Sequence, residues 1–134
     1  MLLTTETGGS RPTHSRRVIE EALLSLNPSG GNAFIVLEVP NGTYVQALGR
    51  QKLVTVETRI FAPDSGYRHY RYTHEDRVGI PTRIAASAGH EVDESEVLHV
   101  RDALDIFDHF RSSWGGAHLS YVRQDMTSMF TSEI

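Results

Sequence analysis

The chain has 134 residues, 39% of them apolar and 22% charged, a formal charge of -4 at pH 7 and no cysteine. That length suits one domain with one core, and the apolar share is too high for a disordered segment. The absence of cysteine excludes disulfides, thiolate chemistry and cysteine zinc sites, while the acidic balance argues against general nucleic-acid binding.

Residues 1–12 are rich in Thr, Gly and Ser and offer nothing to bury after Leu3, so they read as a flexible tail ahead of a single domain over 13–134. Met1-Leu2-Leu3 lacks the basic start and long apolar run of a secretion signal, and no later run approaches the roughly 18 apolar residues of a spanning helix. A soluble cytoplasmic protein without membrane contact is the expectation. Thr13 or Ser15 can cap a first helix whose Val18, Ile19, Ala22, Leu23 and Leu26 share a face, and Asn27-Pro28 ends it.

The apolar run over 34–39 leads to Asn41-Gly42, the strongest short-range hairpin signal, because both central residues of a type I′ turn need positive φ. A two-residue turn there sets Val39 opposite Tyr44 and Leu37 opposite Gln46. A four-residue loop at 49–52 then sets Ala47 opposite Val54 and Tyr44 opposite Glu57. On this register Phe34, Val36, Val45, Ala47, Val54, Val56 and Ile60 form the core face. The other face carries Ile35, Leu37, Tyr44, Gln46, Leu48, Leu53, Thr55, Glu57 and Arg59, too apolar for solvent and too polar for core.

A further strand follows over 67–74, while 82–92 is divided evenly between strand and loop. Val100, Ala103, Leu104, Phe107 and Phe110 recur at helical spacing, which gives a second amphipathic helix over 101–113 before Gly115-Gly116. Residues 119–123 read as a last strand and 126–130 as a short terminal turn of helix. The class is α+β, an antiparallel β-meander of about five strands with an N-terminal helix and a second amphipathic helix near the C-terminus.

No motif specifies catalysis, a cofactor or a metal. The histidines show no His-x-x-x-His pair, although His69 and His74 share a strand and His90 adjoins Glu91, Asp93 and Glu94. No Gly-x-Ser-x-Gly elbow or phosphate loop is present. Tyr67-Arg68-His69-Tyr70-Arg71-Tyr72 mixes rings and cations as single-strand RNA readers do, but suits an edge strand guarded by Arg and His better. Seven basic residues against four acids over 50–83, and seven acids against Arg101 alone over 91–110, give the chain opposite charge in two blocks. Tyr44, Gln46, Glu57 and Arg59 are the constellation the register brings together, as a binding patch or a cross-strand network.

The segments Phe34-Ile35-Val36-Leu37-Glu38, Gly42-Thr43-Tyr44-Val45-Gln46-Ala47-Leu48-Gly49 and Val56-Glu57-Thr58-Arg59 resemble bacterial polymorphic-toxin immunity proteins. These carry a similar apolar strand, a Tyr-x-Gln-Ala strand and a strand with Glu and Arg. The similarity covers 34–72 and the helix at 102–110, whereas Trp114, the only Trp, precedes a glycine pair and matches no family motif. The resemblance implies a small cytoplasmic inhibitor, not an enzyme and without cofactor, that covers the active site of a secreted toxin. Tyr44, Gln46, Glu57 and Arg59 would then bind the partner, with Asp102, Asp105 and Asp108 competing for a basic cleft. A dimeric chaperone for a secreted effector is one alternative. A small-ligand domain or enzyme using the Tyr44/Gln46/Glu57/Arg59 face is the other, and a homodimer is compatible with the binding readings.

Overall fold

The structure is a computed structural model that describes residues 1–50, 53–63, 66–73, 84–85, 91–92, 97–114 and 120–128. In chain order these form β1 (Leu2–Thr5), β2 (Gly9–Pro12), α1 (Arg16–Leu24), a 3-10 turn (Pro28–Gly30), β3 (Phe34–Glu38), β4 (Tyr44–Arg50), β5 (Leu53–Ala62) and β6 (Gly66–Thr73). Then come β7 (Ile84–Ala85), β8 (Glu91–Val92), α2 (Val100–Ser113) and β9 (Val122–Asp125). Seven strands make one antiparallel sheet in the order β2-β1-β3-β4-β5-β6-β9, and β7 pairs with β8 in a separate two-stranded ribbon. The α+β class therefore holds, with a wider sheet than the expected meander. Among the described residues no helix is long and apolar enough to cross a membrane.

The two added strands come from the segment expected to be a flexible tail. Residues 2–5 pair with both 9–12 and β3, so Leu3 lies between Arg11 and Leu37 and is 1% exposed. The Glu6 carboxylate accepts the Ala33 amide at 2.7 Å, which fixes the turn of this hairpin to the start of β3. The composition was misleading because Thr and Ser satisfy a strand backbone as readily as a loop, and one apolar side chain suffices to dock four residues.

The turn at Asn41-Gly42 exists, but with a different register. Val39 N–H donates to the Thr43 carbonyl at 2.9 Å and Gly42 N–H to the Val39 carbonyl at 2.9 Å. The loop thus has three residues, Pro40, Asn41 and Gly42, and only Gly42 has positive φ, 93°. The reason is Pro40: in a two-residue turn its amide would have to donate across the hairpin, and proline has none. At the second position of the observed turn its fixed φ is suited instead, and the glycine supplies the left-handed residue that follows. Glu38 therefore faces Tyr44 and Leu37 faces Val45, one residue from the expected pairing. That slip turns β3 over, so that Ile35 and Leu37 enter the core while Phe34 and Val36 leave it.

Between β4 and β5 the shift is two residues, with Gln46 opposite Glu57 and Arg50 opposite Leu53. Faces are preserved under an even shift, and the expected core members Val45, Ala47, Val54 and Val56 are all fully buried. Gly49 lies inside β4, φ 127°, where a Cβ would collide with the Leu53 carbonyl oxygen; no other residue type suits that crossing.

Both helices pack on this one face. Ser15 Oγ accepts the Val18 amide at 3.2 Å and starts α1, which buries Ile19, Ala22 and Leu23. His99 caps α2 reciprocally with Asp102, and the helix buries Val100, Ala103, Ile106, Phe107 and Phe110 against the same cluster. Two backbone bonds between Val54 and Leu98, 2.9 and 2.7 Å, hold the approach to α2 beside the start of β5. Residues 84–85 and 91–92 pair as short strands within the segment divided between strand and loop, and the rest of it lies outside the described residues. The last strand is Val122–Asp125, later than expected, and 129–130 of the expected terminal turn lie outside the described residues.

If the N-terminal hairpin belongs to the fold, Leu3→Ala lowers unfolding free energy by about 2–5 kcal/mol in urea denaturation. A mobile tail would give a change within about 0.5 kcal/mol.

Candidate functional site

The sheet face turned away from the helices is built from the odd residues of β5 and β6 and the even residues of β3 and β4. Two rows cross it. One runs Leu2, Glu38, Tyr44, Arg59, His69; the other runs Thr4, Val36, Gln46, Glu57, Arg71, Gln124. The four residues singled out from sequence, Tyr44, Gln46, Glu57 and Arg59, are thus brought together. β6 adds three that were missed as partners: Tyr67, His69 and Arg71. Their alternation along β6 was readable; what was missing was the β5/β6 pairing, which the turn closing Ala62 onto Gly66 sets.

His69 is the centre of the cluster and 2% exposed. One ring nitrogen, Nε2, lies 2.7 Å from Glu57 Oε1, and the other, Nδ1, accepts from Arg59 Nε–H at 3.1 Å. A guanidinium can only donate, so Nδ1 carries no proton and Nε2–H donates to the carboxylate. Glu57 also receives the Gln46 amide at 3.4 Å and lies 3.6 Å from Arg71 Nη2. Burial alone would raise the Glu57 carboxyl, but the His69 hydrogen bond and the Arg71 charge outweigh it and hold the group below its ordinary value. Arg59 lies over the Tyr67 ring at 4.1 Å and 6.0 Å from the Tyr44 centroid, while the Tyr44 and His69 rings meet edge to face. Burial raises the Tyr44 phenol.

The backbone holds the arrangement from both sides. Thr43 Oγ1 accepts the Phe61 amide at 3.0 Å, and the His69 amide donates to Thr127 Oγ1 at 2.9 Å.

Asp102, Asp105 and Asp108 lie elsewhere, on α2 and so on the other side of the sheet. Asp102 accepts the His99 amide at 2.9 Å and the Tyr121 hydroxyl at 3.0 Å. Burial and these carboxylates push the Tyr121 phenol up. Asp108 lies 3.0 Å from Arg111 Nη2 and 3.7 Å from Arg16, while Asp105 is exposed. One surface cannot present both groups.

The basic and aromatic stretch is not an edge strand, because β6 lies between β5 and β9. Its rings are divided: Tyr67 faces the polar cluster, Tyr72 is buried in the core at 1% exposure, and Tyr70 stacks with Arg123 at 4.1 Å. Such a division provides no common platform for successive bases. Among the described residues no group of three metal-ligating side chains occurs, and His74, His90, Asp93 and Glu94 lie outside them. No family model, curated protein or solved structure matches this chain.

Because the folded Glu57 carboxyl lies below its unfolded value of about 4.3, its contribution to stability is complete above that value and is lost as pH falls through the folded one. Glu57→Gln should cost about 1–3 kcal/mol at pH 7 and flatten the acid limb of a stability-versus-pH series.

Proposed function

We propose that the chain is a non-enzymatic protein-binding domain, an inhibitor of the toxin-immunity kind, that engages its partner through the helix-free face of the sheet. One observation carries this reading. Of the five large apolar side chains exposed among the described residues, three (Leu2, Phe61 and Val122) lie on that face, around a polar cluster already ordered by its own hydrogen bonds. Phe34, Val36, Leu48 and Leu53 add partly exposed apolar surface beside it. Apolar groups surrounding charges that need no further ordering favour association with another protein, since little side-chain freedom is left to lose.

The charges indicate the partner's chemistry. On this face Glu38, Arg50, Arg59 and Arg71 are exposed or partly exposed while Glu57 is buried, a positive excess among the described residues. A neutral to mildly acidic apolar surface complements it better than a basic nuclease cleft does. The acids of α2 are turned away and take no part. Catalysis by His69 is disfavoured because both ring nitrogens are engaged within the protein.

The partner to test is a secreted toxin encoded beside this chain's gene. Phe61→Glu and Leu2→Glu should weaken its binding by about tenfold or more and reduce protection of toxin-exposed cells, with unchanged circular dichroism. Leu24→Glu, on the exposed side of α1, should change neither. Unaltered binding in both face variants, or loss confined to Leu24→Glu, overturns the reading.

A further inference from the structure

β2 ends the sheet, and all four of its residues are exposed. Thr13 N–H donates to the Met1 carbonyl at 2.9 Å, and bonded pairs recur at every second residue of an antiparallel ladder, so Arg11 and Gly9 bond inward to Leu3 and Thr5. Ser10 and Pro12 alternate with them and direct their main-chain groups out of the sheet. That outer edge offers one amide, from Ser10, and two carbonyls, from Ser10 and Pro12. Proline is tolerated here because the amide it lacks would have pointed away from β1. An edge with unpaired main-chain groups accepts a further strand, and the absent amide at Pro12 limits the match to a short one.

A cleft of about 360 Å³ opens beside this edge, between the hairpin and α1. Leu3 and Ala22 give it an apolar lining, and β2 leaves it open by carrying glycine there: a Cβ at Gly9 would meet nothing within 4 Å. The hydroxyls around it are already engaged. Thr5 Oγ1 accepts the Gly8 amide at 2.9 Å, and Ser25 Oγ donates to the Ala22 carbonyl at 2.6 Å. Glu21, on the helix wall, is held by Arg17 at 3.0 Å. Arg11 differs, since it is exposed, lines the cleft and has no side-chain hydrogen bond or ion pair among the described residues.

A strand laid antiparallel along β2 sets three successive residues opposite Arg11, Ser10 and Gly9. Side chains alternate, so the first and third lie on the helix side with the cleft and the second on the other face. Opposite Arg11 a carboxylate is favoured. Opposite Gly9 an apolar side chain is favoured, because it covers the gap that the glycine leaves and reaches Leu3 and Ala22.

We propose that the β2 edge is a binding site for an extended peptide segment in which an acidic residue stands two positions before a branched apolar one. The middle residue exchanges two main-chain bonds with Ser10, and the residue before the acid donates to the Pro12 carbonyl. The acid pairs with Arg11, and the apolar side chain enters the cleft. This edge is separate from the helix-free face, and it stands whether or not that face binds a partner.

The probe is the acetylated and amidated peptide Thr-Glu-Thr-Leu-Thr, titrated into the ¹⁵N-labelled chain. The Ser10 amide proton should move downfield and saturate, while the inward-bonded Arg11 amide moves less. N-methylation of the central Thr, which removes its donor to the Ser10 carbonyl, should abolish binding without altering the protein. Replacing the peptide Glu by Lys, or making Arg11→Glu in the chain, should each weaken binding about fivefold, and the two changes together should restore it. Replacing the peptide Leu by Gly should weaken binding and leave the signals of Leu3 and Ala22 still. No movement of Ser10 at millimolar peptide, unchanged affinity after N-methylation, or shifts confined to Leu2, Phe61 and Val122 overturns the proposal. Two other occupants would overturn it as well. A Ser10 shift that grows with protein concentration alone, with a dimer by light scattering, gives the edge to a second copy of the chain. Butyrate that shifts Arg11, Leu3 and Ala22 as far as the peptide does, with Ser10 still, gives the cleft to a small carboxylate.

Discussion

Pro40 has no amide hydrogen, and a two-residue turn on Asn41-Gly42 needs one at that position. The chain resolves this by lengthening the loop by one residue, with Gly42 at φ 93° and Val39 bonded to Thr43. Since side chains alternate along a strand, one residue is enough to exchange the two faces of β3. Ile35 and Leu37 come to lie with Val45 and Ala47 beneath the helices, and Phe34 and Val36 join Tyr44 and Gln46 on the other side. The core, the placement of both helices and the composition of the candidate binding face all follow from this closure.

The polar cluster depends on a second parity. β5 is shared between β4 and β6, so its odd residues meet Tyr44 and Gln46 on one side and His69 and Arg71 on the other. Glu57 is consequently surrounded by an amide, an imidazole and a guanidinium, and a carboxylate that would be costly to bury alone is stabilised in its charged form. The same contacts hold Arg59 flat against Tyr67. A network of this kind can order a surface before a partner arrives.

Among the described residues, the charged members of the two sequence blocks are divided among separate partners. Arg71 lies 3.6 Å from Glu57, Arg59 donates to His69 and lies over the Tyr67 ring, Arg68 lies near Asp125, and Asp108 lies between Arg16 and Arg111. Asp102 stabilises the start of α2 and receives Tyr121. Among the described residues, charges close in sequence are separated by the alternation of a strand or engaged at a helix terminus.

Local chemistry by itself determined the helix starting at Ser15, the apolar stripe of α2, the hairpin position at Asn41-Gly42 and the identity of Tyr44, Gln46, Glu57 and Arg59 as one cluster. Each depends on periodicity, capping or turn preference within a few residues, and an even register shift leaves face membership unchanged. Tertiary structure decided which face of β3 is buried, that residues 2–12 extend the sheet, and that His69 and Arg71 complete the cluster. Those outcomes depend on hydrogen bonding between strands distant in sequence, where a single absent amide or one docked leucine outweighs the composition of the segment that carries it.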